Sequence, residues 1–225
     1  AQRDNGRRYE AIVETLKGIP RKLSDDMGRP AAEALIELYR LVTEFKITLH
    51  GHGLRVLKAA FSSDGARVLT TGDDGVAKLW EAETGSLLQT FTGHGFRGVN
   101  HAALSPDGAL VATAGGDGLA IIWNANTGAQ IRALKGHTGD VRDVEFSPTG
   151  NRMLTVSSDK TAKIWNADTG VELQTLDAVG NARFSPDGRR LLTTSGDNTA
   201  KIWDAQTGTL LLSLEGHGDV VHQAS

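Results

Sequence analysis

Residues 51–80 read GHGLRVLKAAFSSDGARVLTTGDDGVAKLW, and the pattern returns three more times. It recurs as GHGFRGVNHAALSPDGALVATAGGDGLAIIW over residues 93–123, as GHTGDVRDVEFSPTGNRMLTVSSDKTAKIW over 136–165, and as VGNARFSPDGRRLLTTSGDNTAKIW over 179–203. The closing tryptophans, Trp80, Trp123, Trp165 and Trp203, stand 43, 42 and 38 residues apart. A period near ~40 residues marks an architecture in which each unit is one small sheet that buries its apolar face against its neighbours.

Each unit divides into four strands. Val56, Val99, Val141 and Val179 each precede Phe61, Leu104, Phe146 and Phe184 by five residues, with small or apolar residues between, which predicts an innermost strand. The quartets at 62–65, 105–108, 147–150 and 185–188 then read Ser-Ser-Asp-Gly, Ser-Pro-Asp-Gly, Ser-Pro-Thr-Gly and Ser-Pro-Asp-Gly. These are turns, because proline presets one dihedral and glycine tolerates positive φ. A second strand follows, RVLTTG in the first unit, and a second turn carries Asp74, Asp117, Asp159 or Asp197. The third strand ends at tryptophan, and alternation is expected to set the tryptophan on one face and the lysines of three units on the other. A Thr-Gly turn then leads to an apolar fourth strand.

These residues resemble the WD40 family of β-propellers, in which Gly-His, an Asp six residues before Trp, and a Ser-Pro-Asp-Gly turn recur at one spacing. The resemblance implies a mainly β fold, an incomplete propeller of four complete four-stranded blades at 51–91, 93–134, 136–176 and 177–214, with partial strands at both ends. It also implies a hydrogen-bonded set within each blade: His52, Thr70, Asp74 and Trp80; His94, Thr113, Asp117 and Trp123; His137, Thr155, Asp159 and Trp165. The fourth blade keeps Thr193, Asp197 and Trp203 but lacks the histidine.

A Thr, a His and an Asp in reach of one another also describe a nucleophile, its base and the group that orients it. A catalytic triad is not built three times at a fixed period, however, whereas the same groups explain cohesion when their polar atoms satisfy one another. No catalytic residue is therefore expected, and the chain reads as a non-enzyme. Gly93, Gly95 and Gly98 spell G-x-G-x-x-G, yet they fall between two expected strands and not between a strand and a helix. The GDDG and GGDG turns lack the spacing and distal glutamate of a calcium loop. No zinc spacing appears and Cys is absent, so neither a metal nor a cofactor is expected.

A net charge of -3 offers no basic footprint for nucleic acid. No apolar run is long enough to span a bilayer and no secretion signal is visible, so a membrane partner is not expected. The lack of cysteine fits a reducing compartment, and the cytoplasm is the expected location.

Residues 1–46 have a different texture. Tyr9, Ile12, Val13 and Leu16 recur at helical spacing until Gly18 and Pro20. Pro30 suits a first helical position, and Ala31, Ala34, Leu35, Leu38, Leu41, Val42 and Phe45 form one stripe after it. A helical hairpin is expected before the blades that begin at residue 47. AIVETLKGIP, RPAAEALIELYRLV and LHGH together look like the segment entering the propeller of large bacterial signalling proteins, in which a STAND-type ATPase precedes WD40 repeats.

Strand counting leaves FKITL, Phe45 to Leu49, as an outer strand without inner strands upstream, and VVHQA near the C-terminus as an inner strand of a partial blade from 215. With Ala1 in place of Met, a fragment of a longer protein is the expectation, the remaining blades coming from the parent chain or from another chain. The junction into the fourth unit is short. Only Asp177 and Ala178 separate Leu176 from Val179, whereas crossing three strand spacings of ~4.8 Å needs roughly 14 Å and three residue steps reach about 10 Å. One of the two flanking strands must be cut back.

The chain thus reads as a protein-interaction or sensing scaffold that binds other proteins or peptides. The residues after each Gly-His lie near one rim, which makes Leu54, Arg55, Phe96, Arg97, Asp140, Arg142 and Asp219 candidate contacts. The alternative is the sensor region of a STAND-type signalling ATPase or WD40-linked kinase whose catalytic domain lies outside the chain.

Overall fold

The structure is a computed structural model that describes residues 47–95, 97–177, 180–194, 197–216 and 219. Contacts divide the chain into Ala1–Ile47 and Thr48–Ser225, and every described strand belongs to the second unit. The expected helical hairpin, Phe96 and the strand VVHQA lie outside the described residues.

Among the described residues, sixteen strands form four antiparallel sheets. The first contains β1 (Val56–Phe61), β2 (Arg67–Gly72), β3 (Val76–Glu81) and β4 (Leu87–Thr92), hydrogen-bonded in that order. The second contains β5 (Val99–Leu104), β6 (Leu110–Gly115), β7 (Ala120–Asn124) and β8 (Gln130–Leu134). The third contains β9 (Val141–Phe146), β10 (Arg152–Ser157), β11 (Thr161–Asn166) and β12 (Glu172–Asp177). The fourth contains β13 (Asn181–Phe184), β14 (Arg190–Thr194), β15 (Ala200–Asp204) and β16 (Leu210–Leu214).

Turn chemistry sets these hairpins. In the Ser-Pro-Asp-Gly turn, Ser105 Oγ donates to Asp107 Oδ1 at 2.6 Å and Gly108 N–H donates to Ser105 O at 2.8 Å, with Gly108 at φ 68°. The turn before the third strand needs positive φ too. Gly75 and Gly118 supply it freely, whereas Lys160 and Asn198 at the same position are forced to 67° and 66°.

The core lies between successive sheets. Leu69, Ala77, Leu79 and Phe91 of the first sheet meet Val99, Ala102, Val111 and Trp123 of the second, with the Phe91 and Trp123 rings 5.7 Å apart. The next interface joins Ala112, Ile122 and Leu134 to Val141, Val144, Met153 and Trp165, and the third joins Leu154, Ile164 and Leu176 to Ala182, Phe184 and Leu191. One sheet therefore presents a small aliphatic face forward and its tryptophan face backward. The outermost faces of the series stay open: Phe61 is 72% exposed where Phe146 is 6%, and Leu214 is 41% exposed where Leu176 is 3%.

Polar side chains reinforce the apolar contacts. Gln89 Nε2 donates to Asn126 O at 2.6 Å and Arg132 donates to Asp168 O at 2.9 Å, each reaching from a fourth strand to the turn of the next sheet. Arg67, at the start of the interior strand β2, donates to Gly108 O in the next sheet's first turn at 3.0 Å.

The lysines lie on the tryptophan's face, not opposite it. Gly51 packs against both Trp80 and Lys78, and Gly136 against both Trp165 and Lys163, because residues two apart on a strand share a face. Ile47 to Leu49 form no strand, since a strand needs a ladder partner. The short junction into the fourth sheet is resolved at its inner end. β12 keeps six residues while β13 has four, against six in β1, β5 and β9.

Candidate functional site

Three blades hold the same four-residue chain of hydrogen bonds. Trp80 Nε1 donates to Thr70 Oγ1 at 2.8 Å, Thr70 lies 2.8 Å from His52 Nε2, and His52 Nδ1 lies 3.0 Å from Asp74. In the second blade the corresponding distances are 2.9 Å for Trp123 to Thr113, 2.7 Å for Thr113 to His94 and 3.0 Å for His94 to Asp117. In the third they are 2.8 Å for Trp165 to Thr155, 2.7 Å for Thr155 to His137 and 3.0 Å for His137 to Asp159. The aspartate also accepts the backbone N–H of the residue after histidine, from Gly53 at 2.8 Å, Gly95 at 3.2 Å and Thr138 at 2.9 Å. Each set thus pins the Gly-His loop to the second and third strands and to the turn between them.

Ionised aspartate can only accept, so histidine Nδ1–H donates to it, and Nε2 of the neutral ring accepts from the threonine hydroxyl, whose oxygen accepts the indole N–H. That assigns the Nδ1–H tautomer. Burial lowers the His137 pKa and keeps the ring neutral, although Asp159 works against it. Burial alone would raise the Asp159 carboxyl, but hydrogen bonds from the Thr161 hydroxyl, the Thr138 N–H and His137 outweigh it and hold it well below the usual range. Asp74 and Asp117 are held low in the same way: burial opposes, while Gly53 N–H and His52 prevail at Asp74, and His94 prevails at Asp117.

The order Thr-His-Asp has the connectivity of a triad, yet the oxygen is not available to a substrate. Thr70, Thr113 and Thr155 are buried, and each hydroxyl already accepts an indole proton. In the fourth blade Trp203 Nε1 donates to Thr193 at 2.8 Å, while Asp197 accepts from Lys201 Nζ at 2.8 Å and from the Thr199 hydroxyl at 2.6 Å.

The rim above these loops is where the exposed chemistry lies. Arg55 Nε donates to Asp73 at 3.0 Å, and Arg97 lies 3.7 Å from Asp140 across the second and third blades. Both pairs are solvent-exposed and hold little energy, so their charges remain available to another molecule. Arg97 and Asp140 border a cleft of about 480 Å³ between Gly116 and Gly139. The backbone approaches closely there, for a Cβ on Gly116 would lie 2.6 Å from Arg97 O. Arg142 is exposed where the ladder slips between Val141 and Asp143, and Leu54 and Asp219 are exposed as well. Slips recur between Val56 and Lys58 and between Val99 and His101, and such bulges re-aim side chains at the rims of sheets.

A further cluster escapes the sequence pattern. His101 Nδ1 lies 2.8 Å from Asp143, whose other oxygen accepts from Arg183 at 2.7 Å, so one carboxylate bridges β5, β9 and β13. Its only signal is that VRDVEF carries Asp143 where the first two units have Lys58 and His101, and Glu145 where they have Ala60 and Ala103. Among the described residues no three His, Asp or Glu side chains group as metal ligands, and no helix is long and apolar enough to cross a membrane.

The description "WD domain, G-beta repeat" matches residues 43–81, 85–124, 128–166 and 170–204. A 39-residue stretch is 49% identical to the vegetative incompatibility protein HET-E-1 of Podospora anserina, a match spanning 17% of this chain and 3% of that protein. Four matched repeats, four four-stranded sheets and the threefold Trp-Thr-His-Asp chain agree, and the protein belongs to the WD40 repeat family.

Proposed function

We propose that this chain engages protein or peptide partners through the rim that carries Arg55, Arg97, Asp140 and Arg142. WD40 repeats generally form non-catalytic interaction scaffolds. The observation that carries the assignment to the rim is the cleft of about 480 Å³ beside Arg97 and Asp140, whose loops are anchored from below by the buried His-Asp pairs. Anchored loops lose little entropy on binding. Selection of displayed peptides against the chain tests it. Selected peptides bind the native chain and lose binding in Arg97→Glu and Arg142→Glu variants of unchanged melting temperature; peptides indifferent to both variants refute it.

A second reading makes the chain the cytoplasmic sensor region of a signalling protein, a STAND-type ATPase or a kinase, acting on domains outside it. The match to a small part of the much longer vegetative incompatibility protein supports this reading. The reading frame upstream of Ala1 tests it, since a glycine-rich phosphate loop would lie there.

A further inference from the structure

The first strands β1, β5, β9 and β13 lie side by side, and their ladders set the residues in tiers. Lys58, His101, Asp143 and Asn181 occupy one tier, opposite Thr71, Ala114, Val156 and Thr194. Ala60, Ala103, Glu145 and Arg183 occupy the next, opposite Leu69, Ala112, Leu154 and Leu192. The two small alanines leave room where Glu145 stands. A cavity of about 400 Å³ opens there, walled by Phe61, Leu104 and Phe146 and bordered by His101, Glu145 and Arg183.

The two carboxylates at this cavity are unequally satisfied. Asp143 is fully engaged, accepting from His101, from Arg183 at 2.7 Å and from Val144 N–H at 2.9 Å. Arg183 spends the same NH1 group on Asp143 and on Ala182 O at 2.9 Å. Glu145 receives a backbone N–H from Phe184 at 3.4 Å, the long end of hydrogen bonding. Asp143 and Arg183 pair with each other, so among the described residues the Glu145 carboxylate keeps only that long contact. Burial is the main influence on that carboxyl and pushes it up, with Arg183 offsetting only part. An added cation would relieve that cost. Phe61, largely exposed, lines the same cavity, and an aromatic ring there suits a cation and the apolar stem behind it.

We infer that the cavity beside Glu145 is a binding site for a guanidinium or ammonium group on an apolar stem, supplied by an arginine or lysine side chain of a protein partner. The source of that group rests on the reading of the chain as an interaction scaffold; the cation site itself does not, and it lies on different residues from the rim. Calorimetric titration of the 225-residue chain with N-acetyl-arginine methylamide, its citrulline counterpart and agmatine tests it. The capped arginine binds at least about tenfold tighter than the capped citrulline, which keeps the shape and loses the charge, and Glu145→Gln weakens it by a similar factor. Phe61→Ala, at an exposed position that folding tolerates, weakens it several-fold. Equal binding of arginine and citrulline probes, no saturable binding, or full affinity in both variants overturns the site. Agmatine binding as tightly as the capped arginine overturns the partner side chain as its source. Capped arginine binding without any rim-dependent peptide leaves the cation site standing and fails the rim.

Discussion

Replacing Thr155 by valine tests whether the buried chain of hydrogen bonds holds a blade together. Thr155 is 0% exposed, so valine keeps the shape and removes only the hydroxyl. Trp165 then loses its acceptor at 2.8 Å and His137 Nε2 its donor at 2.7 Å, both in buried surroundings. A buried polar group left unpaired costs ~1–3 kcal/mol, so two of them cost about 2–4 kcal/mol after partial relaxation. The fourth blade is the internal control. Among the described residues Thr193→Val orphans only the half-buried Trp203 indole, which reaches water more readily, and costs about 1 kcal/mol. Urea unfolding followed by tryptophan fluorescence measures both, with the slope checked for constancy. A His137→Phe background isolates the coupling, since Thr155→Val there loses one partner instead of two. Equal losses at Thr155 and Thr193, or a Thr155→Val variant within about 0.5 kcal/mol of the native chain, would refute the reasoning.

Three further outcomes follow from single features. Lys160 holds positive φ where two sister blades use glycine, so Lys160→Gly raises stability by about 0.5–1 kcal/mol and Asn198→Gly by less, because asparagine tolerates that region; a lowered melting temperature for Lys160→Gly contradicts this. Among the described residues Thr71 Oγ1 is buried without a hydrogen-bond partner, at a position where the third blade has Val156, so Thr71→Val stabilises by about 1 kcal/mol, read from the urea midpoint. Stability also depends on acidity. His137 has a lowered folded pKa, so its contribution is complete above the ordinary histidine value of ~6.5 and is lost as pH falls through the folded value. Asp74, Asp117, Asp143 and Asp159 are held low and add a second loss below ~pH 4, whereas Glu145, held high, works in the opposite direction as pH rises. Urea midpoints that stay constant from about pH 7 to pH 3 would contradict the assignment.

The repeat, the turns and the Trp-Thr-His-Asp chain were legible in the amino-acid sequence because all their determinants lie within one unit of about 40 residues. Strand alternation, Pro-Asp-Gly turns and a fixed offset from Gly-His to Trp are local facts, and local facts repeat. Even the shortened β13 could be anticipated, since chain length across three strand spacings is simple geometry. Which of the two flanking strands yields was open until the tertiary structure showed β12 intact. The lysine faces were within reach of the sequence as well, for strand parity alone places Lys78 with Trp80.

What only the tertiary structure decided lies between the units. Asp143 bridges His101 and Arg183 from strands some 40 residues away on either side, and nothing in VNHAAL or NARF announces that partnership. The room beside Glu145 exists because alanines 60 and 103 stand in its tier, a coincidence of register among three sheets. Sequence periodicity specifies how a unit folds on itself; the sideways packing of one sheet on the next sets which side chains of different units meet, and that packing depends on twist and shape with no motif of its own.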